Sequence, residues 1–211
     1  MSSSAGQLVE LNPYQRGRAQ GDEQLRRSLL DVAGDLLAEH GSGALTMRRI
    51  ADAHGCSTTV LYRRFGSKQG LVEGLYREGF DRLQRRMERV PAGGDPLDRL
   101  AALGRAYREH ALAEPTYYAV MFSRAVPEFS PSEDDLAHAR QSLQLLIGAV
   151  ADAQAAGLVA DGDPEHLARV LWAAAHGAVS LELAGYLADD ADGVFDHLLT
   201  AALVPDLRGP D

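Results

Sequence analysis

Apolar residues recur at every third or fourth position along most of this chain, which is the period of a helix with one buried face. The apolar share of 45% is rich in Ala and Leu, which favour helix. We find no run of alternating β-branched residues that would predict a strand. The pattern therefore predicts an all-α protein of about nine helices. Its first apolar stripe ends at Gly41 and contains Leu25, Leu29, Val32, Ala33, Leu36 and Leu37.

Hydroxyl residues mark the starts of the next three helices. Thr46, Ser57 and Ser67 each stand directly before a short apolar-patterned run, where a side-chain oxygen can cap unpaired backbone N–H groups. The last of these runs continues to Pro91. The sequence thus predicts two short helices followed by a long one.

Prolines and glycines divide the rest of the chain. After the boundary at residues 91–94, Asp95-Pro96 and Asp163-Pro164 each place a capping residue before a proline at the first helical position. A final helix is expected to begin at Val194. The predicted helices of this half span about 96–114, 116–123, 136–156, 164–187 and 194–204.

Charge is distributed unevenly along the chain. The whole protein carries a net charge of −9. Residues 1–90 nevertheless have 14 Lys and Arg against 11 Asp and Glu, whereas residues 91–211 have 7 against 19. Residues 41–70 have five cations and one acid, and Lys68 is the single lysine of the protein. The sequence predicts a basic amino-terminal module, suited to a phosphate backbone, joined to an acidic body.

Few other kinds of site are suggested. The seven histidines and Cys56 show no metal-ligand spacing, so neither a metal nor a cofactor is predicted. No catalytic residue stands out. A single cysteine, no apolar run long enough for a membrane span and no signal-peptide core together predict a cytoplasmic protein.

The stretch from Thr46 to Leu71 has the features of a helix-turn-helix. Closely crossing helices need a small residue, a turn that accepts positive φ and apolar contacts behind both. Ala51 and Gly55 meet the first two needs, and Ile50, Cys56 and Leu61 meet the third. The alternative is a solvated helical hairpin with ordinary surface charges, but that would leave unexplained the absence of acids between Ala53 and Gly70.

This stretch resembles the DNA-binding domain of the tetracycline-repressor (TetR) family. The resemblance rests on the capped helix at Thr46, the turn at Gly55 and the run Leu61, Tyr62, Phe65, Lys68, Leu71. It implies that part of this surface faces DNA, although Arg64 stands where the family often has His. From the motif and the resemblance together, the predicted DNA-binding residues are Thr46, Arg48, Ser57, Thr58, Thr59, Tyr62, Arg63, Arg64 and Lys68.

The second half resembles one carboxy-terminal subclass of the same family, which has a Trp-x-x-x-His-Gly signature. Here the signature is Trp172, His176 and Gly177. Around it, the helix from Pro164 is apolar on nearly every face, which predicts burial on more than one side. We expect its small and aliphatic face to form a homodimer contact, with packing inside one subunit as the alternative. The predicted interface residues are Ala173, Gly177, Ser180, Leu181, Ala184 and Leu198.

Aromatic residues and a methionine are expected to surround a pocket for a mostly apolar small molecule. For each residue taken singly, simple core packing is an equal alternative. The predicted pocket residues are Tyr107, Tyr117, Tyr118, Met121, Phe122, Trp172 and His176.

These expectations combine into a ligand-responsive regulator that binds a pseudo-palindromic operator as a dimer, expected to be a repressor. The predicted parts are a flexible arm (1–21), a helix-turn-helix domain (22–68) and a regulatory body (69–205) with a connecting helix (68–89). A regulator without a small-molecule effector is the first alternative. An enzyme using His176 is the second.

Overall fold

The computed structural model describes residues 12–203, and over this range it is helical and contains no strand. The chain divides into two compact units after Leu71, so the boundary falls inside the long connecting helix. Ten α-helices occur in the described range, close to the nine predicted. They are α1 Pro13–His40, α2 Met47–His54, α3 Thr58–Phe65, α4 Lys68–Met87, α5 Pro96–Ala113, α6 Pro115–Phe122, α7 Glu133–Gln141, α8 Gln144–Ala155, α9 Pro164–Leu183 and α10 Ala191–Leu203.

Helix α1 begins earlier than predicted. The Asn12 side chain accepts from the Gln15 backbone N–H, and the Gln15 side chain accepts from the Asn12 backbone, with Pro13 at the first helical position. This reciprocal capping box starts a helix across residues assigned by sequence to the flexible arm. The prediction of an arm is therefore wrong for residues 13–21, and residues 1–11 lie outside the described range.

The first unit packs α1, α2 and α3 around a small apolar core. Leu29 and Leu30 of α1 are fully buried, as are Leu45, Ile50 and Leu61. These side chains fix the positions of α2 and α3, the two helices on which the predicted DNA-binding residues lie.

The second unit is organised around α5, which packs against α6, α8, α9 and α10. Ion pairs join several of these helices. Arg108 of α5 pairs with Glu182 of α9 (2.6 Å) and with Asp192 of α10 (2.6 Å). Its guanidinium also lies 5.4 Å from the centre of the Phe195 ring, so one arginine holds three helices together.

Two predicted helices have different bounds in the structure. The predicted helix 136–156 is broken at Ser142, whose hydroxyl donates to the Ala139 carbonyl and competes with the helical backbone bonds. Helix α9 ends at Leu183 rather than near Leu187. There, Gly185 at φ 80° donates its N–H to Glu182 and the next residue bonds to Leu181, closing the helix with a Schellman motif.

Candidate DNA-binding surface and effector cavity

The helix-turn-helix is built as its sequence predicted. Helix α2 ends at Gly55 in the left-handed conformation (φ 78°, ψ 28°). Ala51 is 1% exposed, so its small side chain lies in the contact between the helices. Ile50 and Leu61 are fully buried behind them, while Cys56 is only partly covered. The turn and the core together leave the opposite side of α3 free.

Several predicted DNA-binding side chains lie on that free side of α3. Tyr62 is 53% exposed. Thr59 and Arg63 are exposed as well, and Thr58 is half-buried. A tyrosine this open on a short helix contributes little to the core, but it can contact a phosphate or a groove edge. The amino-terminal residues of such a helix are the ones that reach base edges.

The three predicted capping residues behave differently from one another. Thr46 Oγ1 accepts from the Arg49 N–H at 3.2 Å, and Ser67 Oγ accepts from the Gly70 N–H at 3.1 Å. Ser57 occupies the N-cap position of α3 with extended backbone, but its side chain makes no capping hydrogen bond. Thr46 and Ser67 therefore cap their helices with their side chains, and Ser57 does not.

Three predicted DNA-binding cations have neighbours inside the first unit. The Arg64 guanidinium lies 2.8 Å from the Asp22 carboxylate of α1, and its side chain is only 20% exposed. Lys68 Nζ donates to the Ser42 carbonyl at 3.4 Å. Arg48 is 89% exposed and 4.0 Å from Asp52. Arg64 thus connects α3 to α1, whereas Arg48 remains open to solvent.

The second unit contains a cavity of about 390 Å³. Its wall is largely aliphatic and aromatic, and helices α4 to α10 all contribute to it. Most pockets for small molecules have this composition and are of this size or larger. The lining residues are Tyr76, Phe80, Leu83, Met87, Leu100, Leu103, Gly104, Tyr107, Met121, Phe122, Pro131, Leu136, Ala139, Arg140, Ser142, Leu143, Leu146, Leu171, Trp172, Ala175 and Leu199.

A group of hydrogen-bonded side chains adjoins this cavity. The Tyr118 hydroxyl lies 2.8 Å and the Tyr107 hydroxyl 3.0 Å from His176 Nδ1, and Ser180 Oγ lies 3.2 Å from the Tyr118 hydroxyl. Burial lowers the pKa of His176 and, with the neighbouring Tyr118, raises the pKa of Tyr107. The ring and the hydroxyl are therefore neutral at pH 7. Such a group can recognise a polar atom of a ligand without carrying charge.

Four of the seven predicted pocket residues line the cavity, namely Tyr107, Met121, Phe122 and Trp172. Tyr118 and His176 lie behind the wall in the hydrogen-bonded group. Tyr117 is not among the residues that line this cavity, and the Arg82 guanidinium covers its ring at 4.2 Å from the centre. The sequence pattern could not reveal this because Tyr117 and Tyr118 look equivalent in a short helix that is apolar all round.

Sequence reasoning missed the contributions of α4 and of the α7–α8 segment. Tyr76, Phe80, Leu83 and Met87 repeat at helical spacing along α4, and all four line the cavity. The spacing predicts one buried face, but it cannot distinguish a face that packs against a helix from one that borders an empty space. The cavity therefore became visible only with the tertiary arrangement.

The predicted dimer face of α9 is exposed in the single chain. Ala173, Gly177 and Ala184 are open to solvent, and Leu181 is 48% exposed. Leu198 of α10 is half-buried and borders a shallow groove. Ser180 differs from the expectation, because its hydroxyl contacts Tyr118 and therefore faces the interior.

Comparison with known families matches both halves of the chain. Residues 29–75 match the family described as "Bacterial regulatory proteins, tetR family". Residues 100–202 match the "Tetracyclin repressor-like, C-terminal domain". The chain belongs to the TetR family of DNA-binding transcriptional regulators.

Individual TetR-family relatives agree with this assignment. The HTH-type transcriptional regulator Rv1816 of Mycobacterium tuberculosis is 28% identical over 88% of this chain and 95% of its own length. The HTH-type transcriptional repressor KstR2 of Rhodococcus jostii is 37% identical, but the match covers 47% of this chain and 45% of that protein. A solved structure of a Rhodococcus sp. RHA1 protein of unknown function superposes with a TM-score of 0.74 at 27% identity, covering 94% of this chain and 97% of that one.

Two structural findings concern other kinds of site in this TetR-family chain. Between residues 12 and 203, no three His, Cys, Asp or Glu side chains are grouped so that they could hold a metal ion. Over the same range, none of the helices combines the length and the apolar character needed to cross a membrane.

Proposed function

We propose that this TetR-family regulator is a repressor that binds its operator as a homodimer and is released by a small, mostly apolar effector. The observation that carries the proposal is the presence, in one chain, of an exposed α3 surface and an apolar cavity in the second unit. The relative KstR2 is named a transcriptional repressor, which supports the proposed sign of regulation.

Helix α3 is proposed to enter the major groove. Thr58 and Thr59 at its amino-terminal end would hydrogen-bond with bases or contact a thymine methyl group. Tyr62 and Arg63, one turn further along α3, would contact the phosphate backbone of the DNA. Two α3 helices related by a dimer axis would read half-sites roughly 34–36 Å apart, or a multiple of that distance. The operator would therefore be a pseudo-palindrome.

The occupant proposed for the exposed face of α9 is a second copy of the chain. Val170 and Leu181, on the same side of α9 as residues 173, 177 and 184, are 45% and 48% exposed, and Tyr186 just beyond the helix is 78% exposed. Apolar side chains concentrated on one element mark an interaction surface. The small residues at 173, 177 and 184 would allow another helix to approach closely.

The dimer can be tested with two leucines of similar exposure. Leu181 on α9 is 48% exposed and Leu112 on α5 is 42% exposed. Leu181→Asp should convert the dimer to a monomer in sedimentation velocity, because a charge would be buried without a partner. Leu112→Asp should leave the sedimentation coefficient unchanged. A wild-type monomer at micromolar concentration would contradict this part of the proposal.

The effector would act through α4, which lines the cavity with four side chains. A ligand shifts the equilibrium only by its difference in affinity between the DNA-binding and the released conformations. Selection of bound fragments from the source genome by purified protein would yield the operator. Fluorescence anisotropy with that DNA would then show whether apolar compounds weaken binding.

Each outcome bears on a different part of the proposal. Thr59→Val should change which sequences are preferred, while Asp35→Asn on the exposed side of α1 should not. Failure of both Thr58 and Thr59 substitutions to alter DNA preference would refute the proposed reading by α3. If DNA binds but no apolar compound releases it or raises the melting temperature, the regulator has no effector of this class.

A further inference from the structure

One stripe of helix α7 carries a cation where the cavity wall is otherwise apolar. Ala139 and Arg140 stand three and four residues after Leu136 on α7, so these three share a helix face. Leu143 follows directly after the break at Ser142. All four line the cavity. Arg140 is exposed and Leu136 is 39% exposed. This stripe therefore lies where the cavity opens to solvent.

The charge of Arg140 is not balanced by the protein within the part of the chain described. In that range it has neither an ion pair nor a hydrogen bond from its side chain. Two neighbouring basic side chains differ in this respect. Arg77 Nε lies 2.5 Å from Asp135, and His138 Nε2 lies 2.8 Å from Asp81. Asp135 and Asp81 are thus engaged with other groups, whereas within the described residues the Arg140 guanidinium is left for an external anion.

We propose that the cavity takes an amphipathic anion, whose apolar part fills the cavity and whose carboxylate or phosphate is bound by Arg140 at the opening. This inference rests on the proposed function, because it names the chemical class of the effector. A guanidinium suits both anions, since its planar set of donors can engage two oxygens at once.

The dimensions of the cavity set the size of the apolar part. Liquid water occupies about 30 Å³ per molecule, so about 390 Å³ holds on the order of a dozen groups of that size. An acyl chain of about ten carbons or a compact ring system fits this space. A large polar group attached beyond the anion would lie outside, because Arg140 is at the solvent boundary.

The exposure of Arg140 limits how much the charge can contribute. An exposed ion pair adds little to the free energy of binding, and a bidentate pair at the edge of an apolar cavity adds more. We therefore expect about a tenfold preference for the anion over its neutral analogue at low salt. The preference should decrease as ionic strength rises, because screening weakens exposed charge pairs.

The test uses the full chain and the fluorescence of Trp172, the single tryptophan of the protein, which lines the cavity. Decanoate, decanol, decanoyl-coenzyme A and coenzyme A alone are titrated at low and at high salt. Decanoate should bind about ten times more tightly than decanol at low salt. Arg140→Gln should reduce this ratio to within about twofold, with decanol affinity unchanged.

A matched control is Arg105→Gln, which removes an exposed arginine of α5 that does not line the cavity and should keep the full anion preference. Tighter binding of decanoyl-coenzyme A than of decanoate, lost in Arg140→Gln, would identify phosphate rather than carboxylate as the bound group. Coenzyme A alone should bind at least ten times more weakly than the acylated form.

Two results would overturn the inference in different ways. Equal affinity for decanol and decanoate, or an anion preference that survives Arg140→Gln, would contradict the role of Arg140 and leave an apolar effector intact. Binding of none of these probes, judged by both fluorescence and melting temperature, would contradict the inference together with the proposed effector cavity.

Discussion

The two units of this protein differ in which of their arginines are left without a carboxylate partner. In the first unit, Arg26, Arg27 and Arg64 pair with acids of α1, whereas Arg49 of α2 and Arg63 of α3 are exposed and have no carboxylate partner in the described range. In the second, most arginines are paired, and Glu78 is fully buried between Arg82 (3.1 Å) and Arg85 (2.8 Å). The difference indicates separate roles. Unpaired cations are available to a polyanion, whereas paired charges position the helices around an apolar cavity.

The largest expected effect comes from breaking a buried pair in the second unit. Glu78→Gln removes the carboxylate shared by Arg82 and Arg85. It should lower the free energy of unfolding by about 3 kcal/mol, because the counter-charge is lost at a fully buried position that serves two guanidinium groups, whose side chains are 18% and 38% exposed. Chemical denaturation measures this. Glu88→Gln, at an exposed position that accepts from Gln84, should change stability by less than about 0.5 kcal/mol. Equal effects of the two substitutions would show that the buried charge pairing at Glu78 does not stabilise the second unit.

Acid should destabilise the second unit through His110, which is 1% exposed. Burial, followed by the charges of Arg86 and Arg82, lowers its pKa from 6.5 to about 4. The unfolded chain therefore binds a proton between pH 6.5 and 4 that the folded chain does not. The stability that depends on neutral His110 is fully present above pH 6.5 and is lost as the pH falls to about 4.

From these pKa values, the loss should reach about 2–3 kcal/mol between pH 7 and 4. Denaturation at a series of pH values measures it. His110→Gln should flatten the profile in this window, and His166→Gln, at an exposed position on α9, should not. If the free energy of unfolding of the wild-type protein does not change between pH 7 and 4, then protonation of His110 does not destabilise the fold.

The contrast between the units also explains what the sequence could predict. The first unit depends on local signals, so the caps at Thr46 and Ser67 and the turn at Gly55 were readable from neighbouring residues. The Asn12 capping box was equally local, and Gln15 three residues later was the signal for it. The break at Ser142 was not readable, because that residue keeps helical dihedral angles and the apolar period continues through it.

The cavity depends on contacts between distant parts of the chain. Leu136 and Phe80 look like ordinary core positions in sequence, and nothing local shows that an open space separates their helices. The role proposed for Arg140 could not be read either, because an arginine in the last turn of a helix usually indicates favourable interaction with the helix dipole. Periodicity predicted the helices, and only their packing revealed the space between them.

A smaller effect is expected where α4 and α6 meet inside the second unit. A Cβ atom added to Gly79 would lie 2.7 Å from Met121 Sδ and 2.8 Å from its Cγ, so Gly79→Ala must displace that side chain. Overpacking of this kind costs about 1–2 kcal/mol. Met121 lines the cavity, so the displaced side chain should occupy space that a ligand needs.

Gly79→Ala should therefore weaken ligand binding by more than its loss of stability alone would explain. Ligand titration and thermal denaturation of the same variant would together show this. Gly148→Ala on α8, where an added Cβ meets no atom within 4 Å, is the control. Restoration of ligand affinity by Met121→Ala in the Gly79→Ala background would assign the effect to this contact. Unchanged affinity in Gly79→Ala would show that Met121 moves away from the cavity.

The smallest expected effect is on DNA affinity, and it comes from replacing one exposed arginine in each unit. Arg48→Ala in the first unit should weaken DNA binding by a few-fold at moderate salt and reduce the slope of log affinity against log salt by about one contact. Arg105→Ala in the second unit should change neither quantity, although it removes the same charge. If both substitutions reduce the slope equally, then net charge rather than the position of the cations governs DNA binding. The exposed cations of the first unit would in that case have no special role.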